Sequence, residues 1–317
     1  MSKADIHVAE NSIVAKAPAD IAYGWVANGA RWAQIFSQVV HTAVTPLADG
    51  QDHFEVWQLR PGEDKVYHWK LRRGADKANL RIAFSAAAEI SPFAAFDAVW
   101  SFEPLGDDSC RITLRHEYGL RGDARASASE VGTELGKHAD RQLEELKNAA
   151  ERAEDLEHLI VDFEDPLFVC GEVEDAWAIL YECDKWPQRL SHVAKLDLVE
   201  TTPGIQFFDM DTTTPDGRAH TTRSVRVCLP YDLIVYKQVK TPPLLEAHTG
   251  HWRFTPTTEG LIVAARHTVT IDPTRLSLLG PDTTVHDARR YLRRVLSANS
   301  MTNLKLAKNY AEERAGF

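Results

Sequence analysis

Trp32 opens the phrase WAQIFSQVV, and Trp186, 154 residues later, opens WPQRLSHVA. Trp, Gln, Ser and Val recur at the same places within the first eight positions. A repeat at this spacing constrains the fold more than any composition figure, because it says that one structural unit is built twice. Other landmarks keep the offset. Arg73 in HWKLRRG answers Arg226 in TTRSVRV, 153 apart, and Trp100 in FDAVWSFEP answers Trp252 in HTGHWRFTP, 152 apart. The Arg115–His116 pair of LRHEY answers Arg266–His267 of ARHTV, 151 apart. The same order at a nearly constant offset predicts two homologous domains, residues 1–154 and 155–317, meeting in the charged stretch RAEDLEH.

A length of 317 residues fits two such units, each near the usual ~150 residues of a domain. The first residues, MSKADIHVAENS, lack the apolar core of a signal peptide. No run approaches the ~18 apolar residues of a membrane span. The expectation is a cytoplasmic protein with no membrane partner. The formal net charge of −10 argues against nucleic acid as a nonspecific partner, since such binding depends on neutralising phosphates. Cys110, Cys170, Cys183 and Cys228 are scattered and form no CxxC pair, so no metal site is expected.

Each copy has the same coarse layout. A strand comes first, near 6–14 and 158–166. APADIAYGWVANGARW and GEVEDAWAILYECDKW then read as helical segments, with Asp20 and Glu174 in their first turns, where acidic groups favour a helix N-terminus. Strand-like runs follow, separated by the turn signals PLADGQD, RPGEDK and PLGDDS in one copy and TTPDGR and PTTEG in the other. Long helices close the copies, near 125–153 and 283–314. Leu135, Leu143, Leu146 and Ala150 recur at helical spacing in the first, and Tyr291, Val295, Ala298 and Thr302 in the second. A curved antiparallel sheet must cover one face, and the long helix can do so. The predicted class is therefore α+β: two tandem helix-grip domains, each a curved antiparallel sheet wrapped around its long C-terminal helix with an interior pocket.

Strand alternation predicts which side chains enter that interior. Trp69, Leu71 and Arg73 share a face, as do Thr222, Ser224 and Arg226. Ile112, Leu114, His116 and Tyr118 share another, matched by Val263, Ala265, His267 and Val269. An arginine carried into an apolar interior must be paired. Two readings stay open: a carboxylate or main-chain carbonyls satisfy Arg73 and Arg226, or both arginines anchor ligand oxygens. His116 and His267 are core residues or acid–base groups. Trp100 and Trp252 fill the core or wall a pocket. Gln142 and Asn303 on the closing helices are polar candidates for the interior.

The W-x-Q-x-[FL]-S phrase, the W-x-L-x-R strand, SPFAAFDAVW and the closing helix resemble bacterial polyketide aromatase/cyclases of the Bet v 1-like/START superfamily. The tandem resembles their didomain members, which work with type II polyketide synthases, and it covers about residues 5–153 and 157–314. The resemblance implies aldol cyclisation and aromatisation of a poly-β-ketone with no cofactor, in agreement with the lack of a glycine-rich phosphate loop. The substrate is tethered through phosphopantetheine to an acyl carrier protein, and in the didomain members it is associated with prior reduction at C9. It places the family's pocket arginine on Arg73 and Arg226, its strand tryptophan on Trp69 (Thr222 in copy two) and its second tryptophan on Trp100 and Trp252. Its helix asparagine falls on Asn303, with Gln142 in copy one. A tyrosine of the single-domain members is absent: Val39 and Val193 stand there. The implied catalytic set is Arg73, Arg226, Gln142, Asn303, His116 and His267. The implied substrate wall is Trp69, Leu71, Phe96, Trp100, Ser224 and Trp252. The implied partners are the carrier protein and other synthase components, with KLRRGADK and Arg289, Arg290, Arg293 and Arg294 as candidate docking bases. A non-catalytic carrier of a hydrophobic ligand, or one catalytic domain beside a scaffold domain, remains as the alternative.

Overall fold

The computed structural model describes residues 5–87, 91–124, 126–191, 193–213 and 219–317. The chain divides into two compact units, Met1–Glu154 and Asp155–Phe317. In the first, β1 (Ile6–Ala15) leads into α1 (Ala19–Ala27) and the one-turn α2 (Trp32–Ile35). Six strands follow: β2 (Val39–Pro46), β3 (Asp52–Leu59), β4 (Val66–Asp76), β5 (Arg81–Ala86), β6 (Phe93–Gly106) and β7 (Ser109–Leu120). The long α3 (Ala128–Glu151) closes the unit, and α4 (Ala153–Leu159) comes next in the chain. All neighbours are antiparallel, in the order β1-β7-β6-β5-β4-β3-β2.

The second unit repeats this order. It contains β8 (Ile160–Val169), α5 (Val173–Tyr181), α6 (Trp186–Arg189), β9 (Val193–Thr202), β10 (Ile205–Thr213), β11 (Ala219–Leu229), β12 (Leu233–Lys240), β13 (Leu245–Pro256), β14 (Leu261–Ile271) and α7 (Val285–Ala315). Its sheet runs β8-β14-β13-β12-β11-β10-β9. The turn signals separate strands, except that TTPDGR spans 213–218, of which 214–218 lie outside the described residues.

The closing helices begin where their sequences supply caps. The Ser127 hydroxyl accepts from the Glu130 N–H while Glu130 returns the bond, and Thr284 and Asp287 do the same for α7. α3 packs along β1 and β7 and against α1; α7 packs along β8 and β14 and against α5. On α3 the buried row includes Ala139, Gln142, Leu143 and Leu146, and on α7 its counterpart is Ser300, Asn303, Leu304 and Ala307. The predicted α7 row is corrected here: Ala298 and Thr302 are exposed. α7 closes onto Gly171 through Ala311, since an added Cβ at Gly171 would sit 2.8 Å from the Ala311 Cβ.

Candidate active site in two grip interiors

Strand alternation carries the expected side chains inward. Leu71, Arg73, Phe96, Trp100, His116, Thr222, Ser224, Arg226, Trp252 and His267 are buried, and Trp69 is partly so. Gln142 and Asn303 are buried on the helices that face them. The structure then sorts these residues into frame and interior.

The arginines bond to the frame. The last carbonyls of a helix have no partner within it and must find donors elsewhere. Arg226, with no exposed surface, donates from Nη1 to the Leu180 carbonyl at 2.9 Å and from Nη2 to the Tyr181 carbonyl at 2.8 Å, at the C-terminus of α5. Arg73 donates from Nη1 to Ala27 at the C-terminus of α1 at 2.8 Å, and from Nε and Nη2 to Asp52 at 3.0 and 2.5 Å. The motif tryptophans serve the preceding carbonyls: Trp32 Nε1 donates to Val26 at 3.0 Å and Trp186 Nε1 to Ile179 at 3.1 Å. Of the two readings of Arg73 and Arg226, these bonds agree with the one in which main-chain carbonyls and a carboxylate satisfy them, while Arg226 Nε keeps no partner. Their hydrogen bonds go to helix ends and, for Arg73, to Asp52. The cations also complement the negative ends of the helix dipoles. Around Arg226, burial would raise the Glu200 carboxyl. Bonds from Tyr181, Gln206 and the Gly204 N–H, with the nearby Arg226 charge, hold it below its ordinary value.

The interior is marked by polar groups left without partners. Among the described residues, eight buried side-chain atoms have no hydrogen bond: Trp69 Nε1, His116 Nδ1, Arg189 Nη1, Thr222 Oγ1, Arg226 Nε, Trp252 Nε1, His267 Nε2 and Asn303 Oδ1. Trp69 and Thr222 occupy corresponding positions, as do His116 and His267. A buried unpaired polar atom costs about 1–3 kcal/mol, so such a set inside both grips is evidence for a bound polar group.

In the N-terminal grip Trp69 lies 5.5 Å from Phe96, and Phe96 lies 5.6 Å from His116, forming an aromatic wall. Trp100, on the same strand face as Phe96, lies 6.3 Å from Phe36 beside α2. Sequence reasoning missed His138 on α3. Its Nδ1 donates to Gln38 Oε1 at 3.0 Å and its Nε2 accepts from Gln58 Nε2 at 3.1 Å. Burial pushes His116 and His138 each down to about 4, so both are neutral near pH 7. The signal was available, since His138 precedes Gln142 by one helical turn.

In the C-terminal grip the corresponding histidine has polar company. His267 Nδ1 lies 2.7 Å from the Tyr236 hydroxyl and 3.1 Å from His248 Nε2, and His248 Nδ1 lies 2.9 Å from Gln238 Oε1. Tyr236 also reaches the Arg266 carbonyl at 3.4 Å. Gly250 makes this possible, because a Cβ there would lie 2.3 Å from the Tyr236 hydroxyl and 2.2 Å from the Arg266 carbonyl. Burial holds His267 down to about 4 and His248 well below its ordinary range. Tyr236 and Gln238 escaped the sequence reading because β12 is buried on both faces and its apolar run hides alternation.

The candidate docking bases are partly committed. Arg289 donates to the carbonyls of His158 and Ile160, Arg293 pairs with Asp165, and Arg72 pairs with Asp49 and Gln51. Arg290 and Arg294 are exposed on α7. No helix of the described residues is long and apolar enough to cross a membrane.

Two family profiles, both described as polyketide cyclase/dehydrase and lipid transport, match residues 7–151 and 169–289. A granaticin polyketide synthase bifunctional cyclase/dehydratase of Streptomyces violaceoruber is 34% identical over 97% of this chain and 95% of its own length. The corresponding actinorhodin protein of Streptomyces coelicolor is 36% identical over 97% and 98%. Among solved structures, the di-domain ARO/CYC StfQ from the steffimycin pathway is 49% identical, with a TM-score of 0.85 over 97% of this chain and 99% of its own. The di-domain ARO/CYC BexL from the BE-7585A pathway is 32% identical, with a TM-score of 0.85 over 96% and 99%.

Proposed function

The chain belongs to the polyketide cyclase/dehydrase family, and from that premise we propose that it is a didomain aromatase/cyclase of aromatic polyketide biosynthesis. Its substrate is a poly-β-ketone held as a thioester on an acyl carrier protein, C9-reduced, and its task is to close, dehydrate and aromatise the first ring in the cytoplasm. The observation that supports this reading best is the pairing of a family match along nearly the whole chain with unpaired polar atoms at corresponding interior positions of both grips.

The chemistry follows from those groups. The walls of Trp69, Leu71, Phe96 and Trp100 in one grip, and Trp252 and Ser224 in the other, fold the flexible chain so that its reacting carbons meet. A neutral imidazole, His116 or His267, takes a proton from the carbon between two ketones, and the C–H electron pair becomes an enolate. The enolate carbon attacks a distant carbonyl carbon, and the resulting alkoxide takes the proton back. In dehydration a second α-proton goes to the imidazole, the C–O bond breaks, and the hydroxyl leaves as water with that proton; the C9 hydroxyl leaves in the same way, and enolisation of the remaining ring ketone completes the aromatic ring. The sequence is redox-neutral. Gln142, Asn303, Thr222 and the indole N–H groups of Trp69 and Trp252 supply the hydrogen bonds that an oxygen acquiring charge requires. Arg73 and Arg226 hold the frame that keeps these groups in place. Arg290 and Arg294 offer positive charge to an acidic carrier protein.

Product analysis tests the reading. A minimal synthase, with and without its ketoreductase, is supplied with wild-type protein, His116→Phe or His267→Phe. We expect wild type to convert shunt products into a first-ring aromatic in the ketoreductase-containing reaction. Loss of the working histidine should cost on the order of 10²-fold or more. An unchanged shunt profile with wild type sinks the enzymatic reading and leaves carriage of a hydrophobic ligand.

A further inference from the structure

The two grips are not chemically equal. At the positions that correspond to Tyr236, His248 and Gly250 in the second unit, the first carries Phe84, Phe96 and Ala98, as the pairing of each set with His267 and His116 shows. His116 therefore faces aromatic carbon where His267 faces a hydrogen-bonded chain.

Counting donors along that chain orients it. The Gln238 oxygen only accepts, so His248 donates to it from Nδ1. A neutral His248 then has a bare Nε2, which needs a donor. Two groups approach it, His267 Nδ1 at 3.1 Å and the Tyr236 hydroxyl at 3.5 Å, the outer limit of a hydrogen bond; the nearer, His267 Nδ1, carries the hydrogen. The Tyr236 oxygen accepts from the same N–H, and its own hydrogen goes to the Arg266 carbonyl. What remains on His267 is Nε2, buried and unpartnered.

We propose that Gln238 and His248 are positioning residues that hold His267 with its hydrogen on Nδ1 and a free electron pair on Nε2, which makes the C-terminal grip the one that abstracts the substrate proton. The inference rests on the function proposed above. The N-terminal grip, with its aromatic wall and no such relay, then shapes and holds the chain. The hydrogen-bonded partner of the base does here what an orienting group does in any base-activated site: it fixes the tautomer before the substrate arrives.

Imidazole nitrogen NMR on the full-length protein tests the relay without substrate. The expected result is a protonated Nδ1 on His267 in wild type, a mixture of tautomers in Gln238→Leu, and recovery of the wild-type pattern in Gln238→Glu, which keeps an acceptor for His248. In the reconstituted synthase, Gln238→Leu should lower kcat about tenfold or more with little change in KM, and Gln238→Glu should rescue it. A His248→Phe variant, which installs the residue of the first unit, should behave like Gln238→Leu. A wild-type His267 that carries its hydrogen on Nε2 overturns the proposal, as does equal turnover in Gln238→Leu and Gln238→Glu. A wild-type protein that forms no ring overturns the proposed function, while the tautomer measurement still decides the relay.

Discussion

A repeated residue can be repeated for two different reasons, and Arg226 and His267 show both. Arg226 and Arg73 both bond the last carbonyl of the first helix of their copy, Tyr181 and Ala27, and Arg226 takes the Leu180 carbonyl as well. His267 recurs with His116 on an inward strand face, where each keeps an unpartnered nitrogen. The two roles separate experimentally. Arg226→Ala leaves two buried carbonyls unpaired, at about 1–3 kcal/mol each, so urea unfolding should show a loss of about 3 kcal/mol or more. Arg226→Lys should restore little of it, since one ammonium on a flexible stem does not match two carbonyls as a planar guanidinium does. An Arg226→Ala protein of wild-type stability that has lost only turnover would return this arginine to the role of ligand anchor.

At the scale of elements, the helices are held by devices that repeat as faithfully as the motifs. The Glu151 carboxylate of α3 accepts from the Lys16 N–H at 2.7 Å, and the Glu312 carboxylate of α7 accepts from the Cys170 N–H at 2.8 Å, tying each closing helix to the start of the first helical segment. Two glycines near these joints differ in what surrounds them. Gly24 lies inside α1, and a Cβ there would meet nothing within 4 Å. Gly24→Ala should therefore stabilise the protein by about 0.5–1 kcal/mol through backbone entropy. Gly171 is pressed against Ala311, and Gly171→Ala should cost about 1–3 kcal/mol by overpacking. Thermal melts of the two variants should move in opposite directions. Shifts of the same sign would mean that α7 does not dock as closely as described.

The whole molecule should be acid-sensitive because of what its interiors bury. His116, His138 and His267 each stay neutral down to about 4 in the fold, chiefly through burial. His138 and Arg141 add repulsion in the first unit, and Arg293 and His251, opposed by Asp165, surround His267 with Tyr236 and His248. Unfolded, the same side chains take up a proton near pH 6.5. Between those values the unfolded chain binds more protons, so stability falls as the pH falls, by about 3 kcal/mol per histidine. Urea titrations from pH 7.5 to 4 should show this slope, and His138→Gln should flatten it. A stability that stays level across the interval would mean that the grips admit water and let these rings titrate freely.

How much of this was readable beforehand depends on the range of the interaction involved. The repeat, the strand and helix order, the inward faces of β4, β7, β11 and β14 and the caps at Ser127 and Thr284 follow from periodicity and local hydrogen bonding, which act over a few residues and are written in the sequence itself. The same local rule placed Arg73, Arg226, His116 and His267 inside without saying what they would meet. Tertiary structure decided that, because partners such as Leu180 for Arg226 and Gln38 for His138 lie 46 and 100 residues away along the chain. It also decided the face of α7, which closes onto Gly171 through Ala311, and the difference between the two grips, through the clearance at Gly250 that lets Tyr236 reach His267. Burial by neighbours distant in sequence sets the protonation of these groups, and alternation along a strand carries no record of it.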